Sequence, residues 1–218
     1  MKRYIISLLC VFVSLTANSQ LILEDHVIED IVKNEREYFD GITELFRNDD
    51  PMLRIDDIAL VYYGQAFLPT YNPGGDENEA LLKRVYEEKK YDEAYNIAQK
   101  ILAYNPVSLN ALFNAYISSK KLGKEKEESS SYLKKYYNIL DMICKYGDGK
   151  SSETAFRIIT PDDKDYILYG KLQIESVISS ELDTETLCNI VLVKPSRVFP
   201  SKRVYFDLSL YLLQASRQ

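Results

Sequence analysis

The stretch YDEAYNIAQKILAYNP, residues 91–106, decides the fold of this chain. Its apolar residues recur at three- and four-residue steps, which is typical of one face of an amphipathic helix. The small side chains of Ala94 and Ala98 allow a second helix to approach closely, and Pro106 closes the unit. The stretch therefore predicts one half of a tightly packed helical hairpin.

The same spacing resembles the second helix of a tetratricopeptide repeat, a helical hairpin of 34 residues. One repeat length further on, a turn glycine is expected and Gly123 is present. The helix after it fits poorly, because Glu128 stands where a small residue is expected and Lys135 where alanine is usual. Residues 75–108 thus resemble one repeat, and residues 109–142 a degenerate second. The alternative is a plain pair of helical hairpins with coincidental spacing.

More helix is predicted on both sides of this stretch. Residues 24–47 and 56–67 have apolar residues at helical spacing, and a loop rich in proline and glycine follows at 68–75. Residues 77–139 are predicted to be helical throughout. The pattern indicates N-terminal and central antiparallel helical hairpins within a helical region that spans residues 20–146.

After residue 146 the pattern changes from helix to strand. A short helix is predicted over residues 162–169. The predicted strands are residues 155–159, 172–178, 187–193 and 204–212. Helices followed by short strands indicate an α+β fold with a small, mostly antiparallel sheet. We expect residues 150–218 to form a small α+β region that packs on the helices as one unit.

The N-terminus has the three parts of an export signal. Lys2 and Arg3 precede an apolar run at residues 4–15, and small residues follow before Gln20. Residues 1–19 are therefore predicted to be a signal peptide, and the protein to be periplasmic or extracellular. Because the run is shorter than the ~20 residues that span a bilayer, we expect no permanent membrane anchor after signal removal.

The charge balance excludes one class of partner. Without the signal, 25 of the 27 basic residues remain against 33 acidic residues, a net charge of about −8. An acidic protein is repelled by phosphate backbones, so no nucleic acid partner is expected.

Two cysteines, Cys144 and Cys188, remain in the predicted mature chain. In an oxidising compartment they could form a disulfide, which would add ~4 kcal/mol for a loop of this length. The alternative is two separate buried thiols that act as small hydrophobic groups.

Catalytic motifs are scarce. The chain has one histidine, His26, close to the predicted mature N-terminus. A catalytic set of the Ser-His-Asp or Cys-His type would have to use it. A glycine-rich turn at residues 147–151 lacks the spacing of a phosphate-binding loop. We therefore expect a protein that is not an enzyme and has neither a cofactor nor a metal.

Tyrosine is unusually frequent, with 18 residues and no tryptophan. Its apolar ring and polar tip suit half-buried surfaces and binding sites. Tyr62, Tyr63 and Tyr71 could form an aromatic binding ledge at the end of the second predicted helix. They could equally seal that helix against its neighbour, with Gly64 allowing close approach.

Several of these motifs occur together, in the same order, in an uncharacterised family of exported Bacteroides-type proteins. The chain resembles this family at residues 60–64 with Phe67, Tyr71 and Pro73, at Asn105-Pro106, at residues 147–159 and at Val204-Tyr205-Phe206-Asp207. It departs from some relatives at Asp163-Lys164-Asp165-Tyr166, where they have an acidic and tyrosine-containing segment. The family is catalogued as a domain of unknown function, so the resemblance implies no activity.

Three functions follow as expectations. The first is an interaction module of the bacterial envelope that binds a protein or peptide, and an apolar groove would support it. The alternative is a module that binds a glycan or small ligand through a tyrosine-lined surface, which an aromatic-walled pocket would support. The third is an enzyme of unrecognised type, for which a buried cluster of Asp or Glu would be expected.

Overall fold

The structure, a computed structural model, describes residues 24–217. The predicted signal peptide at residues 1–19 lies outside the described residues. The helices are α1 (Asp25–Asn34), α2 (Arg36–Arg47), α3 (Ile55–Gly64), α4 (Glu77–Glu87), α5 (Tyr91–Tyr104), α6 (Leu109–Lys121), α7 (Lys126–Tyr146), α8 (Asp163–Gly170) and α9 (Ser209–Ala215). The strands are β1 (Phe156–Arg157), β2 (Val177–Asp183), β3 (Cys188–Val193) and β4 (Arg203–Asp207). The predicted α+β class is confirmed.

The first predicted helix is two helices. The backbone leaves the helical region at Glu35 (φ −117°, ψ 43°), between α1 and α2. The sequence does not reveal this break, because neither glycine nor proline occurs there and the helical spacing of apolar residues continues across it. Ile28 of α1 and Phe39 of α2 are buried in the same core.

Helix α3 is the central element of that core, since its residues from Asp57 to Gly64 are all buried. It packs against α2 and α7. A Cβ atom at Gly64 would come within 2.5 Å of the Phe39 ring. Glycine therefore allows the close approach of α2 and α3 that the sequence predicts.

The central helices form two hairpins, α4 with α5 and α6 with α7. Ala94, Ala98, Ala111 and Ala115 are fully buried where α5 meets α6, as the small-residue spacing predicts. Gly123 lies in the turn between α6 and α7 with a φ of +68°, a conformation that favours glycine. The hairpins are confirmed, while their relation to tetratricopeptide repeats stays a prediction.

The four strands form one sheet in the order β1-β4-β3-β2. Strand β3 pairs antiparallel with both β2 and β4, and β1 pairs parallel with β4, so the sheet is mostly antiparallel as predicted. Val191, Val204 and Phe206 belong to the same buried cluster as α1, α2 and α3. The sheet and the N-terminal helices thus share a core.

The predicted strand over residues 204–212 is wrong in its second half. Strand β4 ends at Asp207, whose Oδ1 accepts a hydrogen bond of 2.8 Å from the Ser209 amide, and α9 begins there. Leu210 and Gln214, four residues apart, are the buried residues of α9. A short apolar run has no clear periodicity, so strand and helix are difficult to distinguish in it. Within residues 24–217, no helix is long and apolar enough to cross a membrane.

Candidate functional site

A cavity of about 270 Å³ lies between the loop after α3, the turn between α5 and α6, and the first residues of α4 and α8. Two residue types dominate its wall. Four tyrosines line it, which are Tyr71, Tyr104, Tyr166 and Tyr211. Four carboxyl groups also line it, which are Asp76, Glu79, Asp162 and Asp163. The cavity combines aromatic surface with a concentration of acidic groups.

Helix starts explain why acidic groups gather here. Asp76 caps α4 by accepting a hydrogen bond of 2.7 Å from the Asn78 amide. Ser108 caps α6 in the same way, at 3.0 Å from the Ala111 amide. The N-terminus of a helix carries partial positive charge and unpaired N–H groups, so carboxylates and hydroxyls are stabilised there. These caps fix the backbone on two sides of the cavity.

Glu79 connects two of the helices that form the wall. Its Oε1 accepts a hydrogen bond from the Ser108 hydroxyl and its Oε2 accepts one from Asn110 Nδ2, both at 2.6 Å. Burial raises the pKa of Glu79, and these hydrogen bonds oppose that rise. Glu79 therefore ties α4 to the start of α6 and holds this part of the wall in place.

Asp163 is the most deeply buried carboxyl group of the wall, with 4% of its surface exposed. The Tyr62 hydroxyl donates a hydrogen bond of 2.6 Å to its Oδ2 and accepts one of 3.3 Å from the Ile159 amide. Burial raises the pKa of Asp163 to about 8, and the charges of Glu79 and Asp162 contribute to the rise. The carboxyl group is therefore largely protonated at neutral pH.

The three tyrosines that the sequence proposes for binding have different positions. Tyr62 and Tyr63 are buried in the core, so they do not form an exposed ledge. The Tyr63 hydroxyl donates to the Arg157 carbonyl at 3.4 Å, and the Arg157 guanidinium lies 5.0 Å from the Tyr63 ring centre. Both side chains seal α3 against its neighbours, which is the alternative that the sequence allows. Tyr71 lines the cavity, and its hydroxyl donates to the Ile159 carbonyl.

The sequence did not identify the other side chains of the wall. Glu79 and Asp163 are 84 positions apart, and no local pattern indicates that they line one cavity. Tyr71 is the residue of this wall that the sequence proposes for binding.

The cysteines are separate free thiols, so the structure has the alternative arrangement and not the disulfide. Cys144 lies on α7, half-buried near Asp141 and Lys171. Cys188 begins β3, with its Sγ 4.0 Å from the Ser152 carbonyl oxygen. Burial raises the pKa of Cys144 to about 11, which makes it a weak nucleophile at neutral pH.

A second concave surface follows α7. Two adjoining clefts of about 340 and 370 Å³ share Phe46 and Lys135, and we refer to them together as the α7 cleft. Leu102 and Leu112 contribute apolar surface to it, and charged groups such as Glu128 also line it. The cleft is a candidate groove for an extended partner.

Metal binding has no candidate in the described part of the chain. From residue 24 to 217, no three His, Cys, Asp or Glu side chains are grouped so that they could hold a metal ion. His26 lies exposed in the first turn of α1, with its Nδ1 3.2 Å from Glu24 Oε2, and it is not part of the cavity wall.

Comparison with known families now places the chain. The family model for a domain of unknown function, DUF4919, matches residues 26–217. The chain belongs to the DUF4919 family. No curated protein and no solved structure matches it significantly. The DUF4919 match includes the helices and the sheet alike, so the whole cavity wall, from Gln65 to Tyr211, lies inside the family domain.

Proposed function

We propose that this DUF4919 protein is an exported protein of the bacterial envelope that binds a small polar molecule in the cavity. The observation that carries the proposal is the wall itself, where buried polar side chains and four tyrosines surround about 270 Å³. Small-molecule sites are typically preformed concave pockets with aromatic surface and a few fixed polar groups. This geometry supports the alternative expectation, a small-ligand or glycan module, over the first one.

We propose binding without chemical turnover. The cavity does contain buried carboxyl groups, which an enzyme would also need. However, both oxygens of Glu79 already accept hydrogen bonds from Ser108 and Asn110, so Glu79 is held as a structural group. The lone histidine of the chain is not on the wall. A general base would need freedom to take a proton from a substrate.

A pair of matched substitutions tests the site. Ala80 of α4 is exposed and lines the cavity, so Ala80→Phe would place a ring there without removing a described hydrogen bond. Ala103 of α5 is also exposed, and it lines the α7 cleft. We expect a panel of metabolites and glycans to raise the melting temperature of wild type and Ala103→Phe, but not of Ala80→Phe. Equal responses from both variants would contradict the proposal.

The second candidate function is the one that the sequence favours, a protein or peptide partner in the envelope. The observation in its favour is the length of the α7 cleft, since two clefts adjoin at Phe46 and Lys135. Cross-linking of tagged protein in its native envelope tests it. We expect Ala103→Phe to abolish capture of a reproducible partner and Ala80→Phe to leave it intact. Capture that is the same in both variants would exclude the cleft as the binding surface.

A further inference from the structure

Most hydrogen-bond donors on the cavity wall are already used within the protein. The hydroxyls of Tyr104 and Tyr166 donate to Asp76 and to Asn110 Oδ1, respectively. The Asn110 amide and the Ser108 hydroxyl donate to Glu79. These are the groups that would otherwise bind the oxygens of an acidic or carbonyl-rich ligand.

Two carboxyl groups of the wall, Asp76 and Glu79, have unused capacity to accept hydrogen bonds. An ionised carboxylate has about four lone-pair positions on its two oxygens and donates nothing. The described bonds to Asp76 come from the Asn78 amide and the Tyr104 hydroxyl, and those to Glu79 come from two side chains and leave further positions open. The wall therefore favours a ligand that brings donors.

Charge favours the same kind of ligand. Asp76, Glu79 and Asp162 are acidic groups of the wall, whereas the lysine among its lining residues, Lys83, forms an ion pair with Asp162. The faces of tyrosine rings also attract cations, and four such rings line this cavity. An anionic ligand would be repelled by the carboxylates of the wall.

We propose that the ligand of the cavity is a small molecule that carries a protonated amine. This inference rests on the proposed binding function and specifies the class of ligand. The ammonium group supplies up to three donors and a positive charge, which suit the open acceptor positions and the carboxylates of the wall. Neutral and acidic analogues of the same size are selected against.

Two matched series of compounds test this inference by NMR titration at neutral pH. One series is glucosamine, glucose and glucuronate, and the other is 1,6-diaminohexane, 1,6-hexanediol and adipate. In at least one series we expect the amine to bind at least tenfold more tightly than the acid and more tightly than the neutral compound. Added salt should weaken amine binding, because screening reduces the attraction between charges.

The inference is overturned if, in both series, a neutral or acidic member binds as tightly as its amine. An absence of binding by both amines at millimolar concentration would also overturn it. Neither result decides the proposed function, because the Ala80→Phe and Ala103→Phe comparison with the broad panel tests that separately.

Charge variants show whether the wall itself recognises the amine. Asp76→Asn removes one negative charge but keeps a good helix cap, since Asn and Asp cap equally well. We expect it to weaken amine binding about fivefold, an effect equivalent to ~1 kcal/mol. The matched control is Glu181→Gln, an equal charge change on exposed β2, and it should have no effect. If Asp76→Asn weakens neutral and amine compounds equally, its role is structural and the inference fails.

Discussion

The cavity and the α7 cleft both contain acidic groups, but the two regions hold them differently. In the cavity, Asp163 is buried and hydrogen-bonded to a core tyrosine. In the α7 cleft, Asp141 has a side chain that is 55% exposed and is paired with Lys171. Water surrounds the exposed Asp141 side chain and screens its interactions, whereas it does not reach the buried Asp163. The difference teaches that burial, and not the presence of an acidic residue alone, determines whether a carboxyl group such as Asp163 keeps its proton at neutral pH.

The largest effect is expected from Asp163→Asn. The folded-state pKa of Asp163 is about 8, whereas an unfolded aspartate titrates near 3.9. Above pH ~4 only the folded state keeps the proton, so the contribution of Asp163 to stability falls as pH rises and levels off above pH ~8. Asparagine avoids this penalty and can still accept the Tyr62 hydrogen bond. We expect it to raise the free energy of unfolding by roughly 3 kcal/mol at pH 8 and by less at pH 5.

Urea unfolding at the two pH values measures this effect, and the α7 cleft provides the control. Asp141→Asn should change the stability by less than about 0.5 kcal/mol at both values, since exposed ion pairs contribute little. A gain for Asp163→Asn that does not depend on pH would show that Asp163 is not a buried acid.

An intermediate effect is expected from Glu79→Ala. The substitution leaves the buried Ser108 hydroxyl without its acceptor, and it leaves the buried Asn110 Nδ2 with only its longer bond of 3.3 Å to the Glu79 carbonyl. The expected loss of stability is about 2 kcal/mol. The counterpart in the α7 cleft is Glu128→Ala, which removes the acceptor of the Tyr95 and Tyr132 hydroxyls. Because Glu128 is only half-buried, water can replace it as the acceptor. Glu128→Ala should therefore lower the stability by less than Glu79→Ala does, as measured by thermal unfolding.

The smallest effect is expected from Tyr104→Phe, which keeps the ring and removes the hydroxyl that donates to Asp76. A single hydrogen bond of this kind contributes about 1 kcal/mol. The stability of the variant should fall by that amount in urea unfolding, with the ring still lining the cavity. A loss of several kcal/mol would mean that Tyr104 organises the wall more widely than its one side-chain bond indicates.

What the sequence predicts well is local. The spacing of Ala94 and Ala98 predicts the close helix contact, and Gly64 predicts the approach of two helices, because each signal lies within one or two turns. The C-terminal apolar run gives no such signal, and it predicts strand where α9 forms because the burial of α9 depends on what the helix packs against.

The cavity could not be predicted in the same way. The Tyr62 hydroxyl reaches Asp163 across 101 positions of the chain, and Glu79 reaches Asn110 across 31. Each residue is unremarkable within its own segment, since an acidic residue in the first turn of a helix is common. Only the packing of α3, α4, α6 and α8 brings these side chains together. The sequence singles out Tyr71 because of the distinctive loop around it, and it gives no sign that the Tyr71 hydroxyl donates to the Ile159 carbonyl.

The span of the cavity wall, from Gln65 to Tyr211, has a consequence for how the protein matures. Local hairpins form quickly, whereas contacts between distant positions form later because a long loop must close first. The site is therefore completed late in folding, after nearly the whole chain has emerged. A chain that is truncated before α9 would lack Tyr211 of the wall, so under the proposed binding function ligand capture would distinguish complete molecules from truncated ones.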